Sequence, residues 1–237
     1  MKSSSLRFTA LAVGLLSIVA SAQQALAVPT VFFDRDDNTG FMTSFPNSQA
    51  KYNQFAATLN SFGVDDIDTD AGFDPSLTFG ATGITATTQG VLAQAAPTYV
   101  IGTQALLEVD AIGFPQVNTK FTFNQPITAF GAFVTQGGDT ASNNNPTTFR
   151  LRNTVANTFV DVPVQVGPGW LDNNAFFFGV TDTSPFNEVE LLETGDAVDG
   201  MLYDNVVAGQ IPEPGSVLLM LLGGAFALCR GARFRRS

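Results

Sequence analysis

The sequence predicts a mainly β fold, an antiparallel β-sandwich with one short amphipathic helix, and three observations predict it. From Leu77 onward apolar and polar residues alternate with period two. Turn residues recur about every eight to twelve positions in the same region, and a single segment ahead of the C-terminal tail carries the period of a helix.

The elements follow in chain order. Val31-Phe32-Phe33 reads as a first short strand, closed by the polar run from Asp34 to Gly40. After Pro46-Asn47, residues Tyr52, Phe55, Ala56 and Leu59 fall at i, i+3, i+4 and i+7, and Gly63 lies just past the end; a helix is expected from Ser48 to Ser61. Strands are then expected at Leu77 to Phe79, Gly83 to Thr88, Thr119 to Asn124, Ile127 to Thr135 and Thr147 to Arg152. Four more follow, at Thr158 to Val166, Ala175 to Thr181, Asn187 to Leu192 and Leu202 to Ala208. Phe121 and Phe123 share one face of their strand; Phe149 and Leu151 share one face of theirs, with Arg150 and Arg152 opposite, so the phenylalanines read as core. Gly137 to Pro146 reads as a polar loop.

Composition narrows the chemistry. The body, residues 28–209, holds five basic residues, Arg35, Lys51, Lys120, Arg150 and Arg152, against twenty acids, a net charge of −15. Such a surface repels nucleic acid and anionic lipid and favours cations. The chain contains no histidine, which excludes a Ser-His-Asp triad, a Cys-His pair and any histidine-ligated metal. Its one cysteine, Cys229, lies in the tail, so the body has no disulfide and depends on packing.

The two ends read as targeting segments. Lys2 and Arg7 precede the apolar stretch Phe8 to Ala20, and Ala25-Leu26-Ala27 is a small-x-small site; residues 1–27 are expected to be a signal peptide cut after Ala27. At the other end Pro212-Glu213-Pro214 is followed by the apolar run Val217 to Leu228 and then by Arg230, Arg233, Arg235 and Arg236. Twelve helical residues cover about 18 Å of a hydrocarbon core roughly 30 Å thick, a poor permanent anchor. The arginines are expected on the cytoplasmic side and the body outside. Pro212 and Pro214 keep the intervening segment extended, in a form a processing enzyme can grip.

Motif, apolar helix and basic end in this order resemble the PEP-CTERM sorting signal of Gram-negative and related bacteria. The resemblance implies that residues 210–237 form the signal, with the motif at Pro212, Glu213 and Pro214, the helix over about 215–229 and the basic stop at 230–236. It also implies that an integral-membrane exosortase cuts near the motif, in bacteria that make extracellular polysaccharide. The chain would then pass the secretion machinery, dwell in the membrane by its C-terminal helix, and end at the cell surface or in the medium. The body, through Phe32-Phe33, ITAFGAFVT, FFFGVTDTSPFNEVELL and DGMLYDNVVAG, also looks like the exported β-sandwich domains that precede such tails. That likeness implies a jelly-roll or concanavalin-like, lectin-like sandwich and supplies no activity.

Four features invite a site. Glu188, Glu190 and Glu193 resemble the E-x-D-x-x-E strand of concanavalin-like glucanases, but on a regular strand Glu193 points away from the other two, so convergence needs a bulge. Asp66, Asp68 and Asp70 have the alternate spacing of a calcium loop, yet Ala71 and Leu77 stand where an EF-hand needs glycine and glutamate, and a solvated acidic turn is the expectation. Asp204, beside Asp199-Gly200 and Tyr203, looks like the aspartate of carbohydrate-binding jelly rolls whose last strand lies beside the first and shares a structural calcium; Asp34 would be its partner. Trp170, after Gly167-Pro168-Gly169, is either core or an exposed ring that stacks on sugar. Both termini, the acidic body and the absence of histidine point to a non-catalytic exported protein among extracellular polysaccharide, with a carbohydrate-binding module using Trp170 or a sheet face, or a glycosidase, as the alternatives.

Overall fold

Two long strands organise the molecule. The computed structural model describes residues 28–36, 44–95, 101–108, 118–135, 147–164, 175–192 and 201–212. In chain order these form β1 (Thr30–Asp36), α1 (Pro46–Ala56), β2 (Ser61–Asp65), β3 (Gly72–Phe73), β4 (Ser76–Thr78), a 3-10 turn (Gly80–Thr82), β5 (Thr85–Gln89), β6 (Val91–Ala95) and β7 (Gln104–Glu108). The rest are β8 (Lys120–Thr135), β9 (Thr147–Asn153), β10 (Thr158–Val164), β11 (Ala175–Leu192) and β12 (Leu202–Gln210). Every strand pairing is antiparallel.

The strands β8 and β11 belong to both layers of an antiparallel β-sandwich. Their Ala129–Thr135 and Ala175–Thr181 halves pair with each other in a first sheet, flanked by β1 on one side and β12 on the other. The far edge of β12 is taken by β2 and β7, and β7 leads on to β6 and β3. The other halves, near Lys120–Phe123 and Glu188–Leu192, form a second sheet ordered β10, β9, β11, β8, β5, β4. Both long strands turn at exposed positions, Asn124-Gln125-Pro126 and Thr183-Ser184-Pro185, where a proline without an amide hydrogen costs no ladder bond.

The bend also resets side-chain phase. In the first sheet the even-numbered Phe130, Ala132 and Val134 face the main core with Phe176, Phe178 and Val180. In the second the odd-numbered Phe121 and Phe123 face it with Val189, Leu191, Phe149 and Leu151. A period-two strand cannot do this without a slip, and β11 supplies it through register shifts on both sides of Phe186. Phe149 and Phe178, one from each sheet, stack with ring centres 3.8 Å apart across the core.

The outer face of the first sheet is sealed by α1. Phe55 is fully buried there against Ala129, Phe133, Phe177 and Val207. The cross-strand pair Gly131 and Gly179 makes room for it: a Cβ on Gly179 would lie 2.9 Å from the Phe55 ring. The helix begins with Pro46 at its first turn and is capped from outside, since the buried Asp36 accepts hydrogen bonds from Asn47 N at 3.0 Å and Ser48 N at 2.8 Å. Asp36→Ala is expected to cost about 1–2 kcal/mol in a urea unfolding titration, with Asp36→Asn keeping part of it; an unchanged midpoint for the alanine variant would refute the cap.

The body matches the expected fold class, with corrections in detail. The helix is shorter than Ser48 to Ser61, because Ser61 already opens β2 beside Gln210. Four strands were not foreseen, β2, β3, β6 and β7. The last two, VLAQA and QALLE, are rich in helix formers that sheet pairing overrides. The signal segment, Trp170, Glu193, Asp199, Glu213, Pro214 and the arginine tail lie outside the described residues. Among the described residues no helix is long and apolar enough to cross a membrane.

Candidate functional site

The outer face of the second sheet carries no helix among the described residues; α1 packs on β1 and β11 instead. Strand register places two rows of side chains across this face. One row runs Asp161, Arg150, Glu190, Lys120, Gln89 and the other Phe159, Arg152, Glu188, Thr122, Thr87, each from β10 through β9, β11 and β8 to β5. Five strands at about 4.8 Å spacing make a platform roughly 19 Å wide.

Phe159 sits at one end, 57% exposed, although the sequence pattern puts phenylalanine in the core. The Arg150 guanidinium lies 4.3 Å from its ring centre and braces it. Arg150 is itself fixed by a two-pronged pair, Nε donating to Asp161 Oδ1 at 2.7 Å and Nη2 to Oδ2 at 2.9 Å. That bond holds the Asp161 carboxyl below its usual range and raises the arginine. Arg152 Nε approaches Glu188 Oε1 at 3.3 Å but without hydrogen-bond alignment, and its Nη2 is 3.9 Å from Glu190 Oε2. The guanidinium is thus held by charge more than by hydrogen-bond geometry. Lys120 Nζ stands 3.9 Å from Glu188 Oε2, and Asn118 Nδ2 donates to Glu190 Oε1 at 3.0 Å.

Beside Phe159 a shallow cleft opens between the β9–β10 hairpin and the bend of β11. Leu151, Phe159, Val160, Pro185 and Phe186 give it apolar walls, and the buried Asp182 also lines it. Burial raises the Asp182 carboxyl, and a hydrogen bond from Ser184 N at 2.7 Å opposes the rise.

Of the glycosidase triplet only Glu188 and Glu190 fall among the described residues, and Glu193 lies outside them. Glu188 and Glu190 share the face as expected, but both are engaged by Arg152, and Glu188 by Lys120 as well.

The shared calcium of Asp34 and Asp204 is corrected by the topology. Strands β1 and β12 are not neighbours: register puts Asp34, Phe177, Phe133 and Asp204 in one row across β1, β11, β8 and β12. Three strand spacings, about 14 Å, and two phenylalanines separate the carboxylates, too far for one ion. Asp34 Oδ2 instead stands 3.9 Å from Lys51 Nζ. Asp204 is 3% exposed; its Oδ2 accepts from Ile101 N at 2.5 Å and its Oδ1 from Asn205 N at 2.6 Å. Burial, with Asp68 and Asp66 nearby, pushes its pKa up to about 7 against those two hydrogen bonds.

The acidic turn stays partly solvated, with Asp66 exposed and Asp65, Asp68 and Asp70 half-buried, and it also works as a clasp. Asp68 Oδ1 accepts from Thr103 N at 2.7 Å, Thr103 Oγ1 at 2.9 Å and Gln104 N at 3.2 Å, and the Thr103 amide leads in holding its carboxyl below the usual range. Asp65 accepts from Ile67 N and Thr78 N. Asp70 is pushed up to about 6 by burial and then by Asp65 and Asp66. No three His, Cys, Asp or Glu side chains among the described residues converge as a metal cage. A second clasp was not foreseen: buried Glu108 accepts from Tyr203 OH at 2.6 Å, Thr119 Oγ1 at 2.8 Å and Met201 N at 3.0 Å.

No family model and no curated protein matches this chain. Among solved structures it is similar to a mutant of the family 29 carbohydrate-binding module CBM29-2 complexed with mannohexaose, at 13% identity and TM-score 0.36, over 63% of this chain and 93% of that one. A second CBM29-2 mutant, complexed with cellulohexaose, gives 14% identity and TM-score 0.37 over 65% and 97%. Likeness this loose carries no ligand across.

Proposed function

We propose that the chain is an exported, non-catalytic glycan-binding protein of the cell surface or extracellular matrix, and that the outer face of its second sheet takes the polysaccharide. One observation carries the reading. The first sheet is closed by α1, whereas the second presents an exposed Phe159 braced by Arg150, flanked by paired donors and acceptors in register. An aromatic face stacks on the C–H face of a sugar ring, and rows of guanidinium and carboxylate groups meet neighbouring hydroxyls. Export and processing rest on the two termini, whose order resembles a signal peptide and a PEP-CTERM tail. Calcium plays no part in this reading.

Affinity electrophoresis of the chain through gels containing extracellular polysaccharide tests the face. Retention is expected, and Phe159→Ala is expected to weaken it about tenfold, about 1.4 kcal/mol, without loss of fold. Retention unchanged in that variant would rule the face out. Intact mass of the protein recovered from its host tests the ends: loss of residues 1–27 and of the tail near Glu213, the latter abolished when Pro212-Glu213-Pro214 is replaced by alanines, is expected. A chain that keeps its arginines would make the tail a plain anchor.

A further inference from the structure

We infer that the polysaccharide this face takes is uncharged; the inference rests on the glycan-binding reading and narrows its ligand. Three of the five bases in the body, Lys120, Arg150 and Arg152, stand on the platform, against Asp161, Glu188 and Glu190. Among the described residues the platform's three bases and three acids cancel, while the ten other acids there face only Arg35 and Lys51.

The remaining two bases cannot be recruited. Arg35 and Lys51 lie on β1 and α1, elements of the first sheet and its outer cover. The platform cannot become net positive, since every unplaced residue of the body is neutral or acidic. A polymer of uronates or sulfated sugars would be repelled by the body as it approached and would find no excess cation on arrival. Within a Debye length of about 10 Å at 0.1 M salt the repulsion acts on any chain that overhangs the platform. An uncharged polyol meets neither penalty: its hydroxyls donate to Glu188 and Glu190 and accept from Arg152 and Lys120, and the ion pairs need not be broken into isolated charges.

The test separates the exopolysaccharide of the producing bacterium by anion exchange into neutral and acidic fractions and runs the full chain through gels containing each. The neutral fraction is expected to retain the protein, with affinity changing less than about twofold between roughly 0.02 and 0.2 M salt, and with Phe159→Ala weakening retention about tenfold. The acidic fraction is expected to retain it at least tenfold less. The double variant Asp161→Asn, Glu190→Gln makes the platform +2 and is expected to gain binding to the acidic fraction that salt removes. Phe159-dependent retention by the acidic fraction as tight as by the neutral one would overturn the inference while leaving glycan binding standing. Retention by neither fraction would overturn both.

Discussion

Gly63→Ala is expected to destabilise the protein by about 3 kcal/mol or more, lowering its Tm by roughly 6–12 °C. Gly63 lies in β2, paired with Ala208, and a Cβ built on it would sit inside the backbone carbonyl of Phe79. Backbone cannot swing aside as a ring tip can. Phe79 is itself fully buried, donates its N–H to Ile84 O at 3.0 Å and packs on Phe123 at 5.9 Å, so yielding there disturbs the core. Gly131→Ala offers a milder case: its Cβ meets the tip of Phe177 at 2.8 Å and the Phe55 ring at 3.2 Å, which can rotate, and backbone only at Phe178 O, 3.1 Å away. Thermal unfolding of both variants checks the ranking; a Gly63→Ala protein as stable as wild type would mean that β2 does not lie against the 3-10 turn.

Stability is expected to fall as pH rises from about 4 to about 8. Asp204 has a folded pKa of about 7 and Asp70 of about 6, both above the ordinary carboxylate value of 3.8. A raised folded pKa means the folded chain holds its proton longer than the unfolded chain does. The contribution is present in full below the unfolded value and is lost as pH passes through the folded one. For the buried Asp204 the loss is on the order of a few kcal/mol. Asp68 and Asp161, whose folded values are lowered, act oppositely: their contribution is present above pH 3.8 and fades in acid. Maximum stability should therefore lie near pH 4 to 5. Urea unfolding across pH 4 to 8 checks this, and Asp204→Asn should flatten most of the decline while keeping an acceptor for Ile101 N. Stability that rises from pH 5 to 8, or an unaltered slope in the variant, would contradict the account.

Much of the sandwich was legible because its signals are local. Alternation marked the halves of β8 and β11 separately, but not that each pair is one bent strand; Pro126 and Pro185 read as breaks because a proline inside a strand ordinarily ends it. The site was half legible. Arg150 and Arg152 were placed opposite the core face of their strand, and Glu188 and Glu190 on one face, by period two alone. Their meeting on a single platform depends on register between strands far apart in sequence. Phe159 gave no signal, since only its position on β10, at the edge of the second sheet, leaves it in solvent. Asp34 and Asp204 were joined by fold analogy, and two intervening strands part them.

The most direct test of the central claim is an amide NMR titration of the chain with oligosaccharides cut from the neutral exopolysaccharide. Shifts concentrated at Phe159, Arg150, Arg152, Glu188, Glu190 and Lys120, and absent from α1, are the predicted result. Shifts confined to the α1 side of the first sheet, or none at saturating sugar, would contradict it.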